Sequence, residues 1–182
     1  INMTHDTSGT LEAWWTHTSD NVWQRIFDFG DDAANASYVM YSPVGNPNGL
    51  SRQITSIRQG TNAEQQVLVD PRLATGSYHV AIVVDDAADE LRYYLNGVLQ
   101  GTNNAMTYNL NDVSNANAYL GKAMFPDPYL AGSIDEFRIY NTPLSDAEVL
   151  ASFTAGPDAI PEPGSLALLG LGGLALILRR RK

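Results

Sequence analysis

The sequence predicts an all-β antiparallel sandwich with one short C-terminal α-helix, followed by a separate single transmembrane helix. Three observations carry this reading. Gly, Asn, Asp, Ser and Pro recur at short intervals between runs of Val, Ile, Tyr, Trp and Thr, the pattern of many short strands joined by tight turns. Ser145 and Glu148 stand three residues apart at the head of a helical segment. Residues 164–178 form an uncharged apolar run that ends in Arg179, Arg180, Arg181 and Lys182.

The strands are expected at 10–16, 24–29, 37–41, 51–57, 65–69, 78–84, 91–95, 98–100, 118–120 and 134–140. Residues 78–84 are nearly all apolar, which predicts a central strand buried on both faces. Asn96-Gly97 lies between Leu95 and Val98, and two residues able to take positive φ predict a type I′ hairpin turn there. The helix starts at the Ser145 cap, with Leu144 and Val149 placed as a hydrophobic staple, and runs to about residue 153. Gly156-Pro157 stops it. This divides the chain into a folded unit at 1–153, a linker at 154–160 and a tail at 161–182.

The tail is an address and an anchor. As a helix, the 164–178 run would be roughly 22 Å long, a short span against a hydrocarbon core of about 30 Å. Gly164, Gly170, Gly172 and Gly173 weaken that helix in water. In lipid a helix is still the way for a single segment to satisfy its backbone. The four terminal cations stay cytoplasmic, which puts the folded unit across the membrane. The order Pro161-Glu162-Pro163, apolar run, basic cluster resembles the bacterial PEP-CTERM sorting signal. That resemblance implies recognition of Pro161, Glu162 and Pro163 by an exosortase-type membrane enzyme. It further implies a precursor in the inner membrane, removal of the tail, and transfer to the cell surface or extracellular matrix.

Before Pro161 there are 7 Lys plus Arg and 19 Asp plus Glu, a net charge of −12. Such a surface repels nucleic acid and anionic lipid and can hold divalent cations. With no cysteine, disulfides and thiolate metal sites are excluded. The chain begins with Ile1 and shows no signal peptide, so an exported protein with this tail is expected to have lost an N-terminal part.

Three blocks stand in order: TLEAWW at 10–15, GSYHVAIVVDDAADELRYYLNG at 76–97, and AYLGKAMFPDPYLAGSIDEFRIYNTPLSDAEV at 118–149. Together they resemble the laminin-G-like, concanavalin A-like jelly roll over roughly residues 8–153. The family usually has Asp where this chain has Asn96, a change confined to the turn. The family also has further strands before the one at 10–15. Their lack implies a sheet edge without its partner and a fragment prone to aggregate.

Several side chains are candidates for function. Alternation places Asp135 on the face of Phe137 and Ile139, the expected core side, where a carboxylate needs a cation or several donors. Family resemblance implies a structural Ca²⁺ ligand there; a hydrogen-bonded Asp is the alternative. Glu12 and Arg138 are expected to pair across neighbouring strands. His79, in an apolar strand, reads as structural, and His5 and His17 have no partner at metal spacing. Asp31-Asp32 and the Asp85-Asp86, Asp89-Glu90 cluster read as solvated turns. Trp14, Trp15 and Trp23 divide between core and sugar-stacking roles. The loop 122–130 offers Phe125, Asp127 and Tyr129 as a ligand rim.

The glycoside hydrolases of this fold carry two acids on one strand in the pattern E-x-D-x-x-E. Residues 133–138 read SIDEFR, with Ser133 and Arg138 in the places of the outer acids, so the pattern fails and no enzyme is expected. Two readings stay open: a surface module that binds polysaccharide or glycoconjugate, and an adhesive matrix protein that binds other proteins.

Overall fold

The computed structural model describes residues 6–46, 49–113 and 116–158. The sorting tripeptide, the 164–178 run and the basic cluster lie outside them. In chain order the elements are β1 (Gly9–His17), β2 (Phe27–Gly30), β3 (Tyr38–Gly45), β4 (Arg52–Arg58), β5 (Gln65–Val69), β6 (Gly76–Asp85), β7 (Glu90–Leu95), β8 (Val98–Asn103), β9 (Asn117–Leu120), β10 (Gly132–Tyr140) and α1 (Asp146–Ala155).

The strands form two five-stranded antiparallel sheets, ordered β10-β1-β6-β7-β8 and β5-β4-β3-β2-β9. Each expected strand is present, and the two sheets stack as a jelly-roll sandwich. Alternating residues supply the core: Leu11, Ala13 and Trp15 from β1, Val80, Ile82 and Val84 from β6, Phe27 and Phe29 from β2, Val39 and Tyr41 from β3. β6 is central and buried from His79 to Val84, as its apolar run predicts. A polar chain crosses the core: the Tyr41 and Tyr93 hydroxyls meet at 2.9 Å, and Tyr93 donates to Gln53 Oε1.

Local chemistry sets the remaining boundaries. Asn96 and Gly97 take φ of 50° and 76°, the left-handed pair that the β7–β8 hairpin needs. Ser145 Oγ accepts from the Glu148 N–H, and Glu148 returns a carboxylate to the Ser145 N–H at 2.8 Å. The helix then runs to Ala155, two residues past its expected end, and stops at Gly156 with φ 85°. Leu144 and Val149 pack it on the outer face of the first sheet against Ala81, Val83 and Tyr94.

The structure departs from the sequence reading, or adds to it, at four points. Residues 24–26 do not join β2, because Trp23 turns the backbone at φ 67°. A 3-10 turn at Leu110–Asp112 was not foreseen; Asp112 stabilises it by accepting from the Asn109 N–H at 2.8 Å. β1 is paired on both sides, by β10 and β6, so the edges of its sheet fall on β10 and β8. Asp135 is exposed, not on the core face. The β1–β10 register passes from Trp15↔Ile134 to Trp14↔Glu136, leaving Asp135 as the extra residue of a bulge. The bulge shifts the parity on its N-terminal side, so Ile134 takes the core side in place of Asp135 while Phe137 packs on the core as expected.

Candidate ligand-binding face

The outer face of the second sheet carries its own side-chain cluster. In β2, Asp28 lies between the inward Phe27 and Phe29; in β3, Tyr38 and Met40 alternate with the inward Val39 and Tyr41. Tyr38, Met40 and Ile54 are buried there against Trp23, Leu68, Met124 and Phe125. Two loops do the covering: 21–25 on one side and 122–130 on the other. Between them opens a cavity of about 290 Å³, lined by Trp23, Arg25, Tyr38, Met40, Glu64, Phe125, Pro126 and Asp127. Its size is at the low end for small-ligand clefts. Trp23 reaches it from a left-handed backbone, an uncommon conformation for a bulky residue.

Arg25 is the buried centre of this face, its side chain 5 % exposed. It stands 3.8 Å from Asp28 and 3.6 Å from Asp127, and lies 5.6 Å from the Trp23 ring centroid. Its Nε and Nη1, and Asp28 Oδ1, are buried without a hydrogen-bond partner among the described residues. Buried polar atoms in a folded protein are seldom left so.

Burial pushes the Asp28 carboxyl up to about 6, against the opposing pull of Arg25 and of the Met124 N–H, which donates to Asp28 Oδ2 at 3.1 Å. Glu64 accepts from the Tyr38 hydroxyl at 2.8 Å and from Ser56 at 2.6 Å. Burial and the Glu64 charge raise the Tyr38 hydroxyl well above its usual range, so it stays a donor. The face thus offers hydrogen-bond donors, carboxylate acceptors and two aromatic walls, Trp23 and Phe125.

Of the rim residues expected from sequence, Phe125 and Asp127 line the cavity. Tyr129 stands away from it, 68 % exposed. Trp23, named from sequence for core or sugar-stacking roles, lines it as well; Arg25, Tyr38 and Glu64 were missed. An Arg in a segment flanked by Trp23 and Ile26 was the available signal, since a cation so placed needs partners.

Asp135 lines a second recess with Trp14, Tyr78, His79, Asn96, Phe153 and Pro157. Its carboxylate is exposed, and no group of three or more His, Asp or Glu side chains assembles among the described residues. Beneath this recess Glu12 and His79 form a buried pair at 2.8 Å. Glu12 also accepts from Ser152 at 2.9 Å and Tyr140 at 3.0 Å, with Arg138 at 3.8 Å. This network pins α1 to the sheet. His79 is structural, as its strand predicts, and Ser152 faces Glu12, not an imidazole. Asp32 caps its own turn at the Ala34 and Asn35 N–H groups, and Asp85 pairs with Arg92 at 3.3 Å. Trp14 and Trp15 are core residues, 7 % and 0 % exposed.

Comparisons with known proteins agree with this architecture. Residues 1–150 match the Laminin_G_3 family model, described as the concanavalin A-like lectin/glucanases superfamily, and residues 159–182 match the PEP-CTERM protein-sorting motif. No curated protein matches the chain. Among solved structures, the CBM40 of the Ruminococcus gnavus IT-sialidase bound to α2,3-sialyllactose is 20 % identical, with TM-score 0.66, covering 80 % of this chain and 82 % of that one. Domain 4 of AbnA, a GH43 extracellular arabinanase from Geobacillus stearothermophilus in complex with arabinotriose, is 20 % identical, with TM-score 0.61, covering 80 % and 66 %. The NanB sialidase of Streptococcus pneumoniae is 19 % identical, with TM-score 0.66, covering 84 % of this chain but 26 % of that enzyme. At these identities the likeness is one of fold.

Proposed function

The chain belongs to the concanavalin A-like lectin/glucanases superfamily and ends in a PEP-CTERM protein-sorting motif, and from that premise we propose an exported, non-catalytic carbohydrate-recognition protein of the cell surface or matrix. The observation that carries this reading is the cavity on the second sheet. Trp23 and Phe125 line it with the largely buried Arg25, and Glu64 and Asp127 complete the polar lining.

Sugars are recognised by that combination. The apolar C–H face of a pyranose or furanose stacks on an aromatic ring, while its hydroxyls both donate and accept. Arg25 supplies donors, Glu64 and Asp127 supply acceptors, and the Tyr38–Glu64–Ser56 hydrogen bonds hold the acceptor in place. Two fold neighbours are described with an oligosaccharide bound, which supports the class of ligand.

The tail supplies the route. An exosortase-type enzyme recognises Pro161, Glu162 and Pro163 while residues 164–178 hold the precursor in the inner membrane with Arg179–Lys182 in the cytoplasm, and processing then releases the folded unit. A glycan-array screen of the full chain tests the binding function. Saturable binding that Trp23→Ala or Phe125→Ala weakens is expected. Co-purified protein partners with no glycan retained would favour a protein-binding matrix role instead.

A further inference from the structure

Resting on the reading that this cavity binds carbohydrate, we infer that its ligand is a neutral glycan, not one that presents a sialic or uronic acid carboxylate. Arg25 is the only cation among the residues lining the cavity. Its charge is already answered by Asp28 at 3.8 Å and Asp127 at 3.6 Å. Glu64 is a second carboxylate of the wall beside Asp127, and Arg58 is a further cation near the Tyr38 hydroxyl.

A ligand carboxylate reaching Arg25 would come close to Asp28 and Asp127 in a partly buried site, where like charges repel strongly. A neutral oxygen meets no such opposition. A guanidinium already flanked by two carboxylates can donate to a hydroxyl, ring or N-acetyl carbonyl oxygen without a change in net charge. Asp127 and Glu64 are acceptors and call for a ligand rich in O–H donors. The folded unit's charge of −12 before Pro161 acts in the same direction at long range.

The test is a glycan array of neutral, sialylated and uronic glycans probed with the full chain, followed by titration of matched pairs: lactose against 3′-sialyllactose, and galactotriose against trigalacturonate. Wild type is expected to retain neutral glycans, with the acidic member of a pair at least about tenfold weaker. Asp127→Asn, which removes one flanking charge, is expected to narrow that gap. Tighter binding of the acidic member, lost in Arg25→Gln, would overturn the charge inference and leave the cavity reading standing. Glycan binding that Trp23→Ala does not change, or none at all, would remove both. A thermal melt of each variant separates loss of contact from loss of fold.

Discussion

Arg138 on β10 and Glu12 on β1 face each other across the antiparallel ladder, with Nη1 3.8 Å from the Glu12 carboxylate. The pairing was legible in sequence from the two strands alone. Its reach was not. Arg138 also donates to the carbonyl oxygens of Gly156 and Pro157, at 3.4 and 2.5 Å, and stacks over Trp14 at 4.4 Å. One guanidinium therefore ties the central sheet to the point where the chain leaves α1.

Arg138→Ala should leave the Glu12 charge buried beside His79 and release the 156–157 segment. We expect a loss on the order of 3 kcal/mol, read from urea denaturation of the full chain. A change below about 0.5 kcal/mol, the usual range for surface substitutions, would show that the network is not structural.

Gly97→Ala tests the hairpin. The turn holds Gly97 at φ 76°, and an added Cβ would lie 3.0 Å from Phe153 Cδ1 and 3.1 Å from Leu150 Cδ1. Backbone strain alone costs about 1–3 kcal/mol, and α1 must also shift. The expected outcome is a lower unfolding midpoint with the fold retained; an unchanged midpoint would contradict the geometry.

Ten strands and a capped helix were visible because alternation, turn residues and the Ser145–Glu148 pair are local signals. What escaped the sequence was non-local or broke a period. The bulge at Asp135 displaced a single residue and so turned Ile134 inward in place of Asp135. Trp23 turned the chain before β2, bringing Arg25 under a loop a hundred residues away. Phe125 and Asp127 could be chosen from loop composition, but their partners Tyr38 and Glu64 come from strand packing that no local pattern states.

Asp28 makes a pH prediction. Its carboxyl is raised from the ordinary 3.8 to about 6 by burial. Between those values the folded protein holds a proton that the unfolded chain has released. Asp28 therefore favours folding at low pH, and that contribution is lost as pH rises from about 4 to about 6, then stays level. Other carboxylates titrate over the same range, so the informative quantity is wild type minus Asp28→Asn. That difference should move in favour of wild type by about 1–2 kcal/mol from pH 7 to pH 5. A pH-independent difference would place the Asp28 charge in a more solvated setting than its burial implies.

At the rim, position decides the outcome. Tyr129→Ala removes an aromatic ring that is 68 % exposed and away from the cavity, so glycan affinity should hold. Phe125→Ala removes a wall, and base-rate values for stacked aromatic contacts suggest a loss of about 1 kcal/mol or more, read by titration calorimetry. Equal effects from the two variants would point to a binding surface broader than the cavity.

The central claim is that this face binds sugar. Of the three tryptophans, Trp14 and Trp15 are buried in the first sheet and Trp23 alone lines the cavity beside Arg25. Titrating the full chain with an array-selected neutral oligosaccharide while following tryptophan emission tests it most directly. The account predicts a saturable change that disappears in Trp23→Phe. A saturable change that persists in Trp23→Phe would place the ligand elsewhere and contradict it.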